Sequence, residues 1–150
     1  MKKAIIITVI VVLLVGVGIL QIHVGWRAGE SYQAEAKDFV EKTTVGLFSN
    51  WDPQEMYALG TDDLKRNQPI WQVEGICQTM RNTLGPLKTY YDAEGEVRTY
   101  WMVGQGKAMI GHYEVDGQFA FRRARITMTV IRENSQWHLA EWEVNYGLTQ

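Results

Sequence analysis

Arg122 is the residue whose placement asks for a chemical explanation. It lies in KAMIGHYEVDGQFAFRRARITMTVIRENSQWHLAEWEVNY, residues 107–146. If Asp116-Gly117 makes a tight turn, Arg122 falls opposite Gly111. It then shares one face with Met109, Tyr113 and, through the next hairpin, Trp142. A guanidinium among apolar neighbours needs an acceptor, because an unpaired internal charge costs several kcal/mol. One reading is a pocket lined by Arg122, Tyr113, Trp142 and Met109, with Arg122 meeting an anionic ligand or a partner carboxylate. The other pairs Arg122 with a helix acid such as Glu55 or Glu74, or leaves it in solvent at the rim, with Tyr113 and Trp142 as core.

Other reactive types read more plainly. Alternation sends His112 to the opposite face from Tyr113, and a surface histidine is expected there rather than a catalytic one. The run Arg122, Arg123 and Arg125 is divided between two faces, with Glu141 and Glu143 beside the second pair. Asp62-Asp63 reads as a solvated helix start. Cys77, the single cysteine, falls in an apolar helical pattern as a small core residue and excludes an internal disulfide. Gly104-x-Gly106 lacks the strand-to-helix setting of a dinucleotide site. No catalytic residue, cofactor or metal ligand set is expected.

The elements that must position these residues follow from periodicity. Residues 30–49 place Tyr32, Ala36, Phe39, Val40, Thr43 and Leu47 at helical spacing. Asp52-Pro53 opens a short helix that Gly60 stops. Residues 69–84 form a third helix with a stripe of Ile70, Val73, Cys77, Met80 and Leu84, ended by Gly85-Pro86. Residues 87–103 read as a strand pair or one bent strand, with the bend at 92–95. Within 107–146, Asp116-Gly117 and the loop Asn134–Gln136 make a three-strand meander.

The second loop is chosen by register, since a one-residue slip turns every side chain to the other face. A three-residue loop pairs Val130 with Ala140, Met128 with Trp142, Ile126 with Val144 and Thr129 with Glu141. One face then carries Met109, Tyr113, Val115, Ala120, Ala124, Ile126, Met128, Val130, Ala140, Trp142, Val144 and Tyr146, and the helices should cover it. The reverse face is polar in the middle. It is apolar at its ends, where Phe119, Phe121, Ile110 and Leu139 form the expected partner interface.

Residues 4–20 are an apolar run without charge, and Gln21, Ile22, His23, Val24, Gly25 and Trp26 lead out from it to Arg27. Residues 4–24 meet the roughly 20 that span a bilayer, and the run is longer than the apolar core of a cleaved signal peptide. The expected organisation is a cytoplasmic tip at 1–3, a transmembrane anchor at 4–26 and an extracytoplasmic domain at 27–150. Lys2 and Lys3 stay in the cytoplasm by the positive-inside rule. A formal net charge of −2 without a basic run argues against nucleic acid as partner.

Three helices followed by a curved antiparallel sheet resemble the NTF2-like superfamily, the cystatin-like α+β roll. The residues carrying the likeness are the Leu84-Gly85-Pro86-Leu87 exit and the closing hairpin ARITMTVIRENSQWHLAEWEV. With the anchor, the chain is similar to bacterial envelope proteins of that superfamily whose roles are unassigned. The resemblance implies an α+β roll behind a transmembrane helix, acting as a binding domain with a homodimer surface on the sheet face. The chain also resembles, on its LG-containing exit and Gly-rich sheet, the membrane-anchored assembly factors of cytochrome oxidase. That likeness implies a subunit or assembly factor of a membrane complex. A third expectation is a small-pocket enzyme of the superfamily.

Overall fold

A computed structural model describes residues 31–102 and 106–147, and the expected anchor lies outside them. The chain divides between Ala34 and Glu35 into two compact units, and the sheet and the helices from Glu35 onward form the larger. No helix among the described residues is long and apolar enough to cross a membrane.

The fold is α+β, with helices packed on an antiparallel sheet. Helix α1 occupies 31–50 and buries Ala36, Val40, Thr43 and Leu47 of the expected stripe, with Tyr32 and Phe39 half-buried; Phe48, outside that stripe, is buried as well. Asp52 caps α2 (Pro53–Leu59) by accepting the Gln54 N–H at 2.8 Å. Thr61 caps α3 (Asp62–Asn67) by accepting the Leu64 N–H at 3.1 Å, with Asp62 and Asp63 in the first turn. There the acids face the positive end of the helix dipole. Helix α4 (Ile70–Leu84) buries Val73, Cys77 and Leu84. The periodicity shows three of these four helices; α3 is too short to display one.

Strands β1 (Leu87–Tyr90) and β2 (Glu94–Met102) lie end to end on one side of β3 (Gly106–Phe119). They form the expected interrupted strand, but the break is at 91–93 rather than 92–95, because Glu94 and Gly95 already pair with Glu114 and Tyr113. On the other side of β3 come β4 (Arg123–Glu133) and β5 (Gln136–Asn145), all antiparallel.

The first turn is not at Asp116-Gly117. Strand β3 runs straight through, with Asp116 opposite Arg125 and Gly117 opposite Ala124. A Cβ on Gly117 would meet Leu87 Cδ1 at 2.8 Å, so this glycine serves a close approach of β1 rather than a reversal. The chain reverses at 120–122. There the Ala120 and Phe121 amides donate to the Pro86 and Leu84 carbonyls, each at 3.0 Å. Tertiary hydrogen bonds to the α4 exit override a strong local turn signal.

The second hairpin corrects the expectation differently. Its loop is two residues, Asn134 and Ser135, both at positive φ (49° and 66°), and Glu133 pairs with Gln136. The extra residue expected in the loop is instead a bulge at Ala140: Val130 faces Leu139, whereas Thr129 faces Glu141 and Met128 faces Trp142. Beyond the bulge the alternation inverts, and Leu139 and Trp137 turn into the core. The β5 edge is tied to the helical layer by the Thr61 amide, which donates to the Leu139 carbonyl at 2.9 Å.

The core closes at the α1 end around Trp51. Its ring meets Phe48 edge-on at 5.0 Å and stacks on Phe119 at 5.7 Å. Its Nε1–H donates to the Gly85 carbonyl at 2.8 Å. Arg81 donates to the Asn50 and Trp51 carbonyls at 3.1 and 3.0 Å, satisfying acceptors that the helix end leaves open.

Candidate functional site

The four residues expected to line a pocket are not brought together. Arg122 is exposed at the 120–122 reversal, its guanidinium 5.7 Å from the Tyr146 ring centroid. It has left the inner face because β3 continues to Phe119, which puts Arg122 in the reversal itself; from Ala124 on, β4 keeps its expected inner residues. Met109 lies at the opposite end of the β3–β4 pairing, beside Arg132. Tyr113 is buried opposite Met128, and burial pushes its phenol above the ordinary value. Trp142 is half-buried against Phe48, 6.2 Å between centroids. Gly111, expected to leave room for Arg122, faces Val130, and a Cβ there would meet the Tyr113 ring at 2.8 Å.

Two of the four expected interface residues are corrected as well. Phe119 is 1 % exposed and Leu139 is 0 % exposed. Phe119 faces inward because it continues the register of Tyr113 and Val115, and Leu139 does so because of the bulge. Neither can meet a partner. Phe121 is exposed and held over Gly85, whose ideal Cβ would sit 3.1 Å from its ring.

Ile110 keeps its expected place on the sheet face away from the core. It pairs there with Ile131, both half-buried, and Arg98 and His138 complete the rung. The next rung is Glu96, His112, Thr129 and Glu141, and the one after is Glu94, Glu114, Thr127 and Glu143. His112 Nδ1 lies 3.2 Å from Thr129 Oγ1. Arg98 Nε donates to its neighbour Glu96 at 2.7 Å. The face is thus an isoleucine pair beside an acidic band. Beta-branched pairs directly opposite each other stabilise a sheet, but a wet face does not require them.

At the β1–β2 break this face opens into a cleft of about 330 Å³ lined by Tyr91, Asp92, Glu94, Glu114, Asp116 and Arg125. Arg125 Nε donates to Asp116 Oδ1 at 2.8 Å and Nη2 to Oδ2 at 3.2 Å, with Nη1 3.3 Å from Glu114. The hydrogen bond from Arg125 holds the Asp116 carboxyl below its ordinary value of 3.8. Lys37 of α1 does the same to Asp92 through contacts of 2.7 and 2.8 Å, tying the helix to the strand break.

A group whose folded pKa is depressed adds stability above its unfolded pKa and loses it as pH falls through the folded value. Asp116→Asn is therefore expected to destabilise at neutral pH by a small amount, screened by solvent. The difference from wild type should close as pH falls below 3.8. Parallel acid unfolding curves of the two proteins check this.

On the helical side, a groove between α1 and α2 of about 410 Å³ is lined by Phe39, Thr43, Leu47 and Leu59 among others. An adjoining cavity of about 510 Å³ shares Phe39, Lys42, Ala58 and Leu59 and reaches Trp137 and His138. The sequence shows Phe39, Thr43 and Leu47 as part of the α1 stripe, without indicating a groove beside them. Sequence reasoning misses the Asp116–Arg125 pair because it puts Asp116 in a turn instead of opposite Arg125.

Comparison with family models, with curated proteins and with solved structures finds no match to this chain. The class defined by the fold of the described residues is α+β, with helices packed on a five-stranded antiparallel sheet.

Proposed function

We propose that this chain is a membrane-anchored interaction domain of the NTF2-like type, held outside the cytoplasm by residues 4–26. The observation that carries the interaction reading is the sheet face presenting the Ile110–Ile131 pair beside the acidic rungs. An apolar patch rimmed by charge fits a protein contact better than a solvated face needs. The anchor reading is supported by the uncharged run and by Lys2 and Lys3 before it.

The charge pattern favours a partner over a second copy. Glu94, Glu96, Glu114, Glu141 and Glu143 cross the face, with Arg98 beside Glu96 and Arg125 beside Glu114, so acid is in excess and two copies stacked on it bring like charge together. A subunit of a membrane complex that supplies cations fits better, and opposed patches of this kind also direct docking. The pocket-enzyme reading loses its cation, since Arg122 is at an exposed turn.

Native mass measurement of the full chain, extracted in mild detergent, tests this. Wild type is expected with a partner bound, and Ile110→Lys combined with Ile131→Lys is expected as a folded monomer. A wild-type monomer overturns the reading. A homodimer that the lysines split keeps the face and replaces the partner.

A further inference from the structure

The helical side of the domain holds open space that neither the core nor the outer sheet face uses. The groove between α1 and α2 and the cavity adjoining it share Phe39, Lys42, Ala58 and Leu59, so the two run on as one trough. Along α1 it reaches from Leu47 to Glu35, twelve positions (47 − 35), or about 18 Å of helix. Glu35, Asp38, Phe39, Lys42 and Gly46 follow at three- and four-residue spacing, which sets them on one helix face. Phe39 and Leu59, from the two walls, are each only half-buried. A Cβ on Gly46 would meet nothing within 4 Å. The helix keeps that space open although glycine in its interior costs about 1 kcal/mol relative to alanine.

The polar groups of the trough restrict what can occupy it. Trp137 of β5 lines the end near Glu35. It is 9 % exposed, and its Nε1–H is buried with no acceptor among the described residues. A buried donor left unmade is costly, and the cavity beside the ring is a route by which an acceptor can reach it. Three carboxylates, Glu35, Asp38 and Glu55, line the trough against one ammonium, Lys42, which already meets Asp38 at 2.6 Å. An anionic ligand meets that excess of like charge. An ammonium has no acceptor to offer the indole. An uncharged carbonyl satisfies both conditions. The volumes of about 410 and 510 Å³ are those of small-molecule sites, which are mostly apolar with a few polar groups that fix orientation.

We propose that this trough binds a small amphiphile with an uncharged amide or ester head. The head carbonyl accepts from Trp137 Nε1–H, and the apolar chain lies between α1 and α2, past Phe39 and Leu59 towards Gly46. The site is on the opposite side of the sheet from the Ile110–Ile131 face and does not depend on the anchor.

The test uses the full chain in phosphatidylcholine vesicles and a photoreactive probe, octanamide with a diazirine at the chain end. Peptide mapping after irradiation is expected to place saturable adducts on α1 and α2 at the trough. Unlabelled octanamide should displace the probe at lower concentration than octanoate does. Gly46→Leu fills the trough where the helix has room for a side chain, and it should abolish the adducts while leaving the circular dichroism unchanged. Trp137→Phe keeps a ring and removes the donor. It should raise the probe concentration for half-maximal labelling about fivefold, the weight of one hydrogen bond. Labelling that does not saturate, that maps elsewhere, or that survives in folded Gly46→Leu overturns the site. Equal competition by octanoate, or no change in Trp137→Phe, overturns the carbonyl head.

Discussion

Replacing Trp51 by alanine is expected to destabilise the domain by about 4 kcal/mol, within the range for deleting a buried tryptophan. Three losses combine. The ring is fully buried between Phe48 and Phe119, so its removal leaves a cavity where two aromatic contacts were. Its Nε1–H is the donor to the Gly85 carbonyl, and a buried carbonyl stripped of its donor carries a further penalty. The backbone at Trp51 has φ of 54°, so alanine relieves none of the strain of that conformation. Trp51→Phe separates the contributions. It keeps an aromatic ring but not the hydrogen bond, and about 1–2 kcal/mol should remain lost. Guanidinium unfolding followed by far-ultraviolet circular dichroism measures both. A loss under about 1 kcal/mol for alanine means this corner is not part of the core.

Gly85→Ala is expected to have the next largest effect, about 3 kcal/mol. Its φ of 71° with ψ of −170° lies in a region essentially reserved for glycine, where another residue costs of order 1–3 kcal/mol. The added methyl also meets Ala120 Cβ at 2.8 Å and the Phe121 ring at 3.1 Å. Those atoms belong to the hairpin tip whose amides bond the Leu84 and Pro86 carbonyls, so the tip cannot retreat without breaking these bonds. Ala120→Gly in the same chain removes the first clash but not the backbone strain. The double variant should recover part of the loss, and the same unfolding measurement gives the coupling. Full recovery would show that the clash alone matters; no recovery would leave only the dihedral angles.

The contrast between Gly85 and Gly117 shows what was legible in the sequence. Gly85 before Pro86 announces a helix end, and α4 ends there. Gly117 after Asp116 announces a hairpin just as clearly, yet it serves the approach of Leu87. Local signals report what a backbone can do, and long-range packing decides whether it does so. The helical stripes were readable because burial on one side repeats every 3.6 residues over several turns. Helix α3 offered too few residues for that.

The closing hairpin was legible in its middle, where Met128 meets Trp142 and Ile126 meets Val144. Buried side chains on both strands specify those pairs. It was not legible nearer the turn, because a three-residue loop and a two-residue loop plus a bulge give the same pairs further out. Only tertiary contacts, such as the Thr61 amide on Leu139, distinguish them. The expected pocket depended on the misplaced first turn, which put Arg122 inside a strand although it belongs to the reversal. Ile110 stays on its expected face because its parity relative to Tyr113 does not depend on any turn.

The outer sheet face is the centre of the proposed function, and photo-crosslinking from that face in intact membranes tests it most directly. Thr129 sits on it beside His112, one rung from the isoleucine pair. Benzoylphenylalanine at Thr129 is expected to yield a discrete adduct, reduced by Ile110→Lys with Ile131→Lys. The same probe at Gln78, exposed on α4, should yield none. An adduct from position 78 with none from 129 would contradict the account and move the interaction surface to the helical side.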